Sequence, residues 1–261
     1  MRHRLLNFLG KLRKPRQSKP AELGVPPDLR LYAIGDIHGR VDLLDTLHEQ
    51  IVADAAAANA RENVIVYLGD YVDRGLGSKA VLERLVNGHP PRFSKVHLKG
   101  NHEAIMLDFL EDSSNGAKWL AIGGNATLLS YGVEAPSGRG SLAEYDKAQG
   151  ELKEKLPVEH LAFLEGLELS YTVGDYQFVH AGVRPGTPLD RQSDRDLIWI
   201  REPFLSSPDW HGKVIVHGHS TEWEPEVYEN RIGIDTAAYA SGRLTSLVLW
   251  DTERAFLFAE A

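Results

Sequence analysis

The chain has 261 residues, of which 43% are hydrophobic and 25% charged, a composition that allows one globular domain with a sizeable core. It contains no cysteine, which excludes disulfides, thiolate zinc sites and any phosphatase mechanism with a cysteine nucleophile. The formal net charge of −8 argues against a nucleic-acid partner, because neutralising phosphates requires an excess of basic residues.

Residues 1–27 are predicted to be a basic, disordered tail. Their first 24 positions carry seven basic side chains against one acidic side chain, and the segment ends at a pair of prolines. An alternative is that Leu5, Phe8 and neighbouring leucines form one apolar helix face that makes weak contact with an anionic membrane surface. The sequence shows no signal peptide or transmembrane segment, so we expect a cytoplasmic protein.

Three strand-turn-helix units are predicted after this tail. In each unit a short apolar run ends at a glycine, and the residues beyond it have the pattern of a helix. The predicted strands cover residues 31–34, 64–68 and 95–99, and the predicted helices cover 41–60, 79–86 and a stretch from 103. Three such units in series indicate parallel strands.

Residues 112–165 have the pattern of helices and loops, and we predict a helical insertion or cap on a catalytic domain that spans 28–261. The pattern then changes to short strands, with hairpin turns predicted at Gly174-Asp175 and Thr252-Glu253. These strands are predicted at 169–173, 176–180, 213–216, 232–234, 244–250 and 255–258. The two halves together favour two sheets that share a core and are flanked by helices.

Polar residues follow the apolar runs at the points where the strands are predicted to end. Ligands bind at the carboxyl ends of strands in open α/β sheets, so these residues are candidates for a site. Those with metal-binding atoms include Asp36, His38, Asp70, Asn101, His180 and His219. Oxygen and nitrogen donors without a thiolate suit manganese, iron or zinc better than calcium. Six ligands are too many for one catalytic ion, which predicts two ions bridged by one carboxylate.

Five short motifs occur in order along the chain. They are Gly-Asp-Ile-His-Gly at 35–39, Gly-Asp-Tyr-Val-Asp-Arg-Gly at 69–75, Gly-Asn-His-Glu at 100–103, His-Ala-Gly at 180–182 and Gly-His-Ser at 218–220. Between residues 33 and about 245 the chain thus resembles the phosphoprotein phosphatase family of calcineurin-like metallophosphoesterases, in particular bacterial serine/threonine phosphatases. The resemblance implies a four-layer αββα sandwich of two mixed β-sheets, with an active site where loops from both sheets meet.

The resemblance also implies a ligand set for two divalent ions. One ion would be held by Asp36, His38 and Asp70, and the other by Asp70, Asn101, His180 and His219. From the residues alone His217 and His219 are both candidates, because residues two apart on a strand share a face. The match of Gly-His-Ser to the family motif favours His219. The expected ions are Mn²⁺, with iron and zinc as alternatives.

The metals are expected to lower the pKa of a bridging water, so that hydroxide attacks phosphorus in line without a covalent enzyme intermediate. His102 is the predicted general acid for the leaving group, and Asp73 is predicted to pair with it. Arg74 and Arg201 match the family's phosphate-binding arginines, whose planar forks suit phosphate oxygens, and Asn101 is expected to contact the same group.

The predicted activity is that of a serine/threonine protein phosphatase acting on a phosphorylated protein or a small phosphomonoester. The main alternative is a symmetrical dinucleoside tetraphosphate hydrolase of the same fold, whose members usually lack the residues found here at Asp73 and Glu103. A non-catalytic phosphoprotein-binding module is a further alternative, and the intact metal ligands argue against it.

Overall fold

The computed structural model describes residues 19–58, 60–137 and 140–261, and its strands form two five-stranded sheets. In chain order the strands are β1 (Leu29–Ile34), β2 (Glu62–Tyr67), β3 (Ser94–His97), β4 (Ser170–Val173), β5 (Tyr176–Val179), β6 (Val214–His217), β7 (Glu226–Val227), β8 (Arg231–Gly233), β9 (Arg243–Trp250) and β10 (Glu253–Glu260). The α-helices are α1 (Val41–Ala58), α2 (Ser78–Val86), α3 (Asn101–Glu111), α4 (Gly116–Ala121), α5 (Gly124–Ser130), α6 (Leu142–Lys155), α7 (Val158–Glu165), α8 (Asp194–Trp199) and α9 (Ala238–Ser241).

The first sheet has the order β10-β9-β1-β2-β3 and contains the strands of the three predicted units. β1 pairs in parallel with β2, and β2 in parallel with β3, as the strand-turn-helix pattern predicts. β9 and β10 come from the end of the chain and extend the sheet beyond β1 as an antiparallel hairpin. The carboxyl ends of β1, β2 and β3 therefore lie along one edge of the sheet.

The second sheet has the order β4-β5-β6-β8-β7. Its three central strands, β5, β6 and β8, run parallel, and the outer strands β4 and β7 are antiparallel to their neighbours. Both sheets are therefore mixed, and in both the central parallel strands place their carboxyl ends on a common edge.

Alternation along the strands separates the apolar side chains into layers. Leu31 and Ala33 of β1 pack with Phe178 of β5 in a core between the two sheets. Their neighbours Tyr32 and Ile34 point the other way and pack beneath the helices of the first sheet. Residues of α8 cover the outer face of the second sheet. The predicted four-layer αββα sandwich of two mixed sheets is confirmed.

Several local predictions need correction. The pattern does not predict β7, α8 or α9, because elements of two to six residues are too short to show a periodicity. α3 begins at Asn101, two residues before the predicted start. The second hairpin turn lies at Asp251-Thr252, one residue earlier than predicted, since Glu253 already pairs in β10.

The predicted tail falls largely outside the described residues, which begin at residue 19. Near its end, Val25 is buried between the sheets, and its N–H donates to the carbonyl of Asp251 over 2.8 Å. Residues 112–165 contain α4 to α7, and their role as a cap stays a prediction, as does the boundary at residue 28. None of the helices in the described ranges is both long and apolar enough to cross a membrane.

Candidate metal centre

The ends of five strands bring polar side chains together at one edge of the sandwich. Loops after β1, β2 and β3 carry Asp36, Asp70 and Asn101, and loops after β5 and β6 carry His180 and His219. All five side chains are buried. Buried charged and polar groups are costly unless they have partners, and a cation bound between these side chains would be a shared partner.

Asp70 lies at the centre of this group. Its Oδ2 is 3.6 Å from Nε2 of His38 and 3.7 Å from Nε2 of His102, and its Oδ1 is 3.4 Å from Nε2 of His180. Two sets of three potential ligands share Asp70, the first with His38 and His102 and the second with His180 and His219. Within each set the ligand atoms lie within 4.8 Å of one another. One carboxylate therefore faces two adjacent pairs of imidazoles.

The histidine rings are oriented by backbone carbonyls. Nδ1 of His38 donates to the carbonyl of Val72 over 2.8 Å, and Nδ1 of His180 donates to the carbonyl of Leu68 over 2.9 Å. This directs both Nε2 atoms at Asp70, as in metal sites whose second ring nitrogen is hydrogen bonded. Burial lowers the pKa of His38 to about 3 and that of His219 to about 2, so both are neutral near pH 7.

Nε2 of His38 is buried and has no hydrogen-bond partner among the described residues. Asp36 and Asp70 are buried nearby, and burial together with the charges of Asp235 and Asp70 raises the pKa of Asp36 well above its ordinary value. A divalent cation bound between this imidazole nitrogen and the two buried carboxylates would give all three groups a partner. The residues present therefore fit the predicted ions.

Asp36 joins the two sheets. Its carboxylate accepts hydrogen bonds from the N–H of His219, at 3.2 Å to Oδ1 and 3.1 Å to Oδ2. Asp36 is not a member of either set of three that shares Asp70, although the two carboxylates are close enough for their charges to interact. The structure thus places it at the border of the centre, in contact with the loop that carries His219.

Asn101 and His219 lie beside His180, whereas the ring nitrogens of His217 contact other groups. Oδ1 of Asn101 is 3.0 Å from Nε2 of His180, and the rings of His180 and His219 are 5.1 Å apart. Nδ1 of His217 contacts the carbonyl of the next residue at 3.0 Å, and its Nε2 is 3.4 Å from Nη1 of Arg231. The structure therefore separates the two histidines that the residues alone leave as equal candidates.

Left-handed backbone conformations concentrate in these loops. The φ angle is 45° at His38, 52° at Asp70, 71° at Asp73 and 61° at His219. Such conformations cost a non-glycine residue about 1–3 kcal/mol and persist only where the surrounding structure fixes them. Glu103 supplies part of that restraint, because its carboxylate accepts hydrogen bonds from four backbone N–H groups of the loops after β2 and β3, at 2.7–3.2 Å.

Two glycines allow the loops to approach the carboxylates. A Cβ added to Gly100 would collide with the carboxylate of Asp70, and one added to Gly218 would collide with that of Asp36. Only glycine lets the backbone pass so near. Any substitution at either position would displace a candidate ligand.

His102 and Asp73 form a buried pair next to Asp70. Nδ1 of His102 donates to Oδ2 of Asp73 over 2.7 Å, which leaves Nε2 directed at Asp70. Burial alone would lower the pKa of His102, but the charge of Asp70 and the hydrogen bond to Asp73 raise it overall. The structure therefore favours the protonated form of His102.

Trp119 and Thr127, from the segment 112–165, hold Asp73 in place. Nε1 of Trp119 donates to both carboxylate oxygens, at 3.1 and 3.0 Å, and Oγ1 of Thr127 donates to Oδ1 over 2.7 Å. Both side chains are fully buried. The sequence holds no motif that ties either residue to Asp73.

Two arginines border the centre. The Arg74 guanidinium lies over the ring of Tyr239 at 4.7 Å, and that ring is 5.5 Å from His38. Nη2 of Arg201 donates to the carbonyl of His219 over 3.0 Å. Both predicted phosphate-binding arginines thus adjoin candidate metal ligands, and their planar guanidinium groups can donate hydrogen bonds to phosphate oxygens.

Asp235 is a buried carboxylate of this region that the motifs do not identify. It follows β8 and accepts hydrogen bonds from Oγ1 of Thr221, at 2.8 Å, and from the N–H of Ala237, at 3.0 Å. Its charge contributes to the raised pKa of Asp36. The rule that polar groups gather at strand ends could have identified it, since β8 is another parallel strand of the second sheet.

Two mixed sheets that carry a buried set of carboxylate, amide and imidazole donors at their common edge define a metallophosphoesterase. The family model for the calcineurin-like phosphoesterases matches residues 29–241. The chain belongs to this family, and the resemblance predicted from the five motifs is confirmed. It is a hydrolase of the metallophosphatase type, and divalent metal ions are the cofactors of this family.

Curated relatives of the chain have two kinds of name. The serine/threonine-protein phosphatase 2 of Escherichia coli (strain K12) is 26% identical over 221 residues, which cover 82% of this chain and 90% of the relative. The symmetrical bis(5'-nucleosyl)-tetraphosphatase of Dechloromonas aromatica (strain RCB) is 30% identical over 179 residues, covering 69% of this chain and 52% of the relative. These names leave the substrate of the present chain open.

Solved structures agree on the fold. A protein described provisionally as a diadenosine tetraphosphatase superposes with a TM-score of 0.60 at 19% identity, covering 92% of this chain and 99% of its own. A mutant of a cold-active protein tyrosine phosphatase superposes with a TM-score of 0.50 at 17% identity, covering 90% and 83%. At such identities the likeness supports the arrangement of the two sheets and nothing finer.

Proposed function

We propose that the chain is a phosphomonoester hydrolase of the serine/threonine protein phosphatase type. The observation that carries the proposal is His102, whose Nδ1 is held by Asp73 at 2.7 Å while its Nε2 lies 3.7 Å from Asp70. A proton donor is needed at this place when the leaving group is a serine or threonine alkoxide, which is strongly basic.

The proposed cofactors are two divalent ions, with Mn²⁺ the first candidate because the donors are oxygens and imidazole nitrogens. The first ion is assigned to Asp36, His38 and Asp70, and the second to Asp70, Asn101, His180 and His219. When bound, the ions supply an activated water and polarise the phosphate oxygens. Asp70 faces His38 on one side and His180 and His219 on the other, which supports two ions rather than one.

His102 is proposed to give its proton to the leaving oxygen. The hydrogen bond to Asp73 favours the protonated ring, and it holds Nδ1 so that Nε2 carries the proton toward the substrate. Such general acid catalysis contributes typically about 10² to 10⁴ in rate.

Arg74 and Arg201 are proposed to bind the phosphate oxygens, with Asn101 adding its amide N–H. Arg201 is held by the carbonyl of His219, and Arg74 is supported by the face of Tyr239 at 4.7 Å. The guanidinium groups of Arg74 and Arg201 come from loops that belong to different sheets, so a phosphate would lie between the two guanidinium groups.

A dinucleoside tetraphosphate hydrolase is the second candidate, because several relatives carry that name. In that reaction the leaving group is a nucleotide phosphate, which departs as an anion of much lower basicity and needs less help from a proton donor. The buried Asp73–His102 pair favours the phosphomonoesterase over this candidate.

The test is a comparison of kcat/KM for phosphoserine, phosphothreonine and phosphotyrosine peptides and for diadenosine tetraphosphate, with Mn²⁺, Zn²⁺ or Fe²⁺. We expect the phosphoserine or phosphothreonine peptide to have the higher kcat/KM, because a proton from His102 assists mainly the departure of a basic alkoxide. Asp36→Asn, which keeps the shape of the side chain, controls for contaminating phosphatases. A preference for the dinucleotide would contradict the proposal, and no turnover with any metal would favour a binding module.

A further inference from the structure

A second group of metal-ligating side chains lies where α1 meets the loop after α2. It is separate from the strand-end centre, which consists of Asp36, His38, Asp70, Asn101, His180 and His219. Asp45 and His48 are three residues apart and share one face of α1, and His89 lies in the loop. One ligand atom of each lies within 4.8 Å of the other two. The rings of His48 and His89 are 5.3 Å apart.

His48 is the buried member of this group. Its Nε2 is 2.9 Å from the hydroxyl of Tyr67, and that hydroxyl donates in turn to the carbonyl of His89 over 3.4 Å. In the tautomer that carries the proton on Nε2, His48 donates to Tyr67 and Nδ1 keeps its lone pair. Nδ1 is buried and meets no hydrogen-bond partner within the described ranges. A buried ring nitrogen without a partner is unfavourable, so Nδ1 of His48 is a candidate ligand atom.

The Tyr67 contact is the kind of support that a metal-binding histidine has. In metal sites the second ring nitrogen usually donates a hydrogen bond, which fixes the tautomer and points the free lone pair at the ion. Burial also lowers the pKa of His48 to about 3, so the ring is neutral near pH 7 and needs no deprotonation before it binds.

Carboxylates outnumber cationic groups in the pocket beside the group, although Lys95 also acts on His48. Three carboxylates, those of Asp45, Glu49 and Glu83, line the same pocket as His89, against one guanidinium, that of Arg84. Arg84 bonds to Asp45 through Nε at 2.9 Å and Nη2 at 3.1 Å, so it competes with an ion for this carboxylate. Each carboxylate oxygen keeps a further lone pair for coordination.

We propose that Asp45, His48 and His89 form a separate binding site for a zinc-class divalent ion. Two imidazoles and one carboxylate, with water in the fourth position, make a zinc coordination shell. Ligand atoms in a tetrahedral site with bonds of about 2.0 Å lie roughly 3.3 Å apart, so the group must close slightly around the ion. His89 is exposed and can make that adjustment. The ion would tie α1 to the loop before β3.

The test measures zinc bound per full-length chain by equilibrium dialysis, together with the zinc-dependent rise in Tm. We expect His89→Ala and Asp45→Asn each to bind one zinc ion fewer than the wild type and to show a smaller rise in Tm. His211→Ala, which removes a histidine from another part of the chain, is the matched control and should behave as the wild type. Equal zinc content and equal Tm shifts in wild type and His89→Ala would overturn the proposal.

Arg84→Ala separates a metal site from a merely structural cluster. Removing the competing guanidinium should make zinc bind several-fold more tightly, although the ion pair with Asp45 is lost. Weaker or unchanged binding in this variant would contradict the role given to Asp45. Hydrolysis measured with Mn²⁺ alone should be unchanged in His89→Ala, so the outcome is independent of the function proposed for the strand-end centre.

Discussion

The two parts of the strand-end site are built differently. Asp70 faces imidazoles that come from the strand ends of both sheets, so its surroundings are assembled by the sandwich itself. Asp73, three residues further on, is held instead by Trp119 and Thr127 of the segment 112–165. His102 lies between the two and contacts both carboxylates. The difference indicates that metal binding and proton donation can be disturbed separately.

Asp70→Asn should have the largest effect, because it removes the one carboxylate that both sets of imidazoles share. Metal ions contribute several kcal/mol of transition-state stabilisation, and about 4 kcal/mol corresponds to a loss of roughly 10³ in kcat/KM. The loss should be similar for every substrate, whatever its leaving group. Assays on a phosphoserine peptide and on p-nitrophenyl phosphate, with metal content measured in parallel, check this. Full metal content together with normal turnover would contradict the central position of Asp70.

His102→Gln should have a smaller effect that depends on the leaving group. Hydrolysis of a phosphoserine peptide should fall by about 10², the lower end of the usual contribution of a general acid. Hydrolysis of p-nitrophenyl phosphate should fall much less, because the aryl oxide leaves without a proton. The ratio of the two kcat/KM values is the measurement, and Asp70→Asn supplies the control in which that ratio stays near the wild-type value. Equal losses on both substrates would refute the role of His102 as an acid.

The same difference between the two parts explains what the sequence can predict. Gly-Asp and Gly-Asn pairs after apolar runs predict the strand ends that carry Asp36, Asp70 and Asn101. Such patterns are local, so they do not depend on how distant residues pack. The confirmed fold class rests on the same local patterns and on the motifs. Trp119 and Thr127 reach Asp73 across 46 and 54 residues, and nothing local records that contact. The left-handed φ angles of non-glycine residues cannot be predicted from the sequence for the same reason, because only the folded surroundings impose them.

Thr127→Val should have the smallest effect, and the effect should be a change in the pH profile of kcat/KM. The hydroxyl of Thr127 donates to Asp73, which favours the charged carboxylate, and that charge in turn raises the pKa of His102. With Asp73 charged, loss of the Thr127 hydroxyl leaves the carboxylate to act more strongly on Nδ1–H of His102, so the pKa of His102 should rise further. The protonated acid would therefore persist to a higher pH, and the basic limb of kcat/KM for a phosphoserine peptide would move to higher pH.

The shift should be smaller than about 0.7 pH unit, because the lost hydrogen bond is worth about 1 kcal/mol net, one pKa unit corresponds to 1.36 kcal/mol, and only part of that energy acts on His102. Thr127→Ser keeps the hydroxyl and is the matched control, so its pH profile should follow the wild type. The profile for p-nitrophenyl phosphate should move in neither variant, since that substrate does not depend on the acid. A shift of the basic limb to lower pH in Thr127→Val would show that Thr127 does not act on His102 through Asp73.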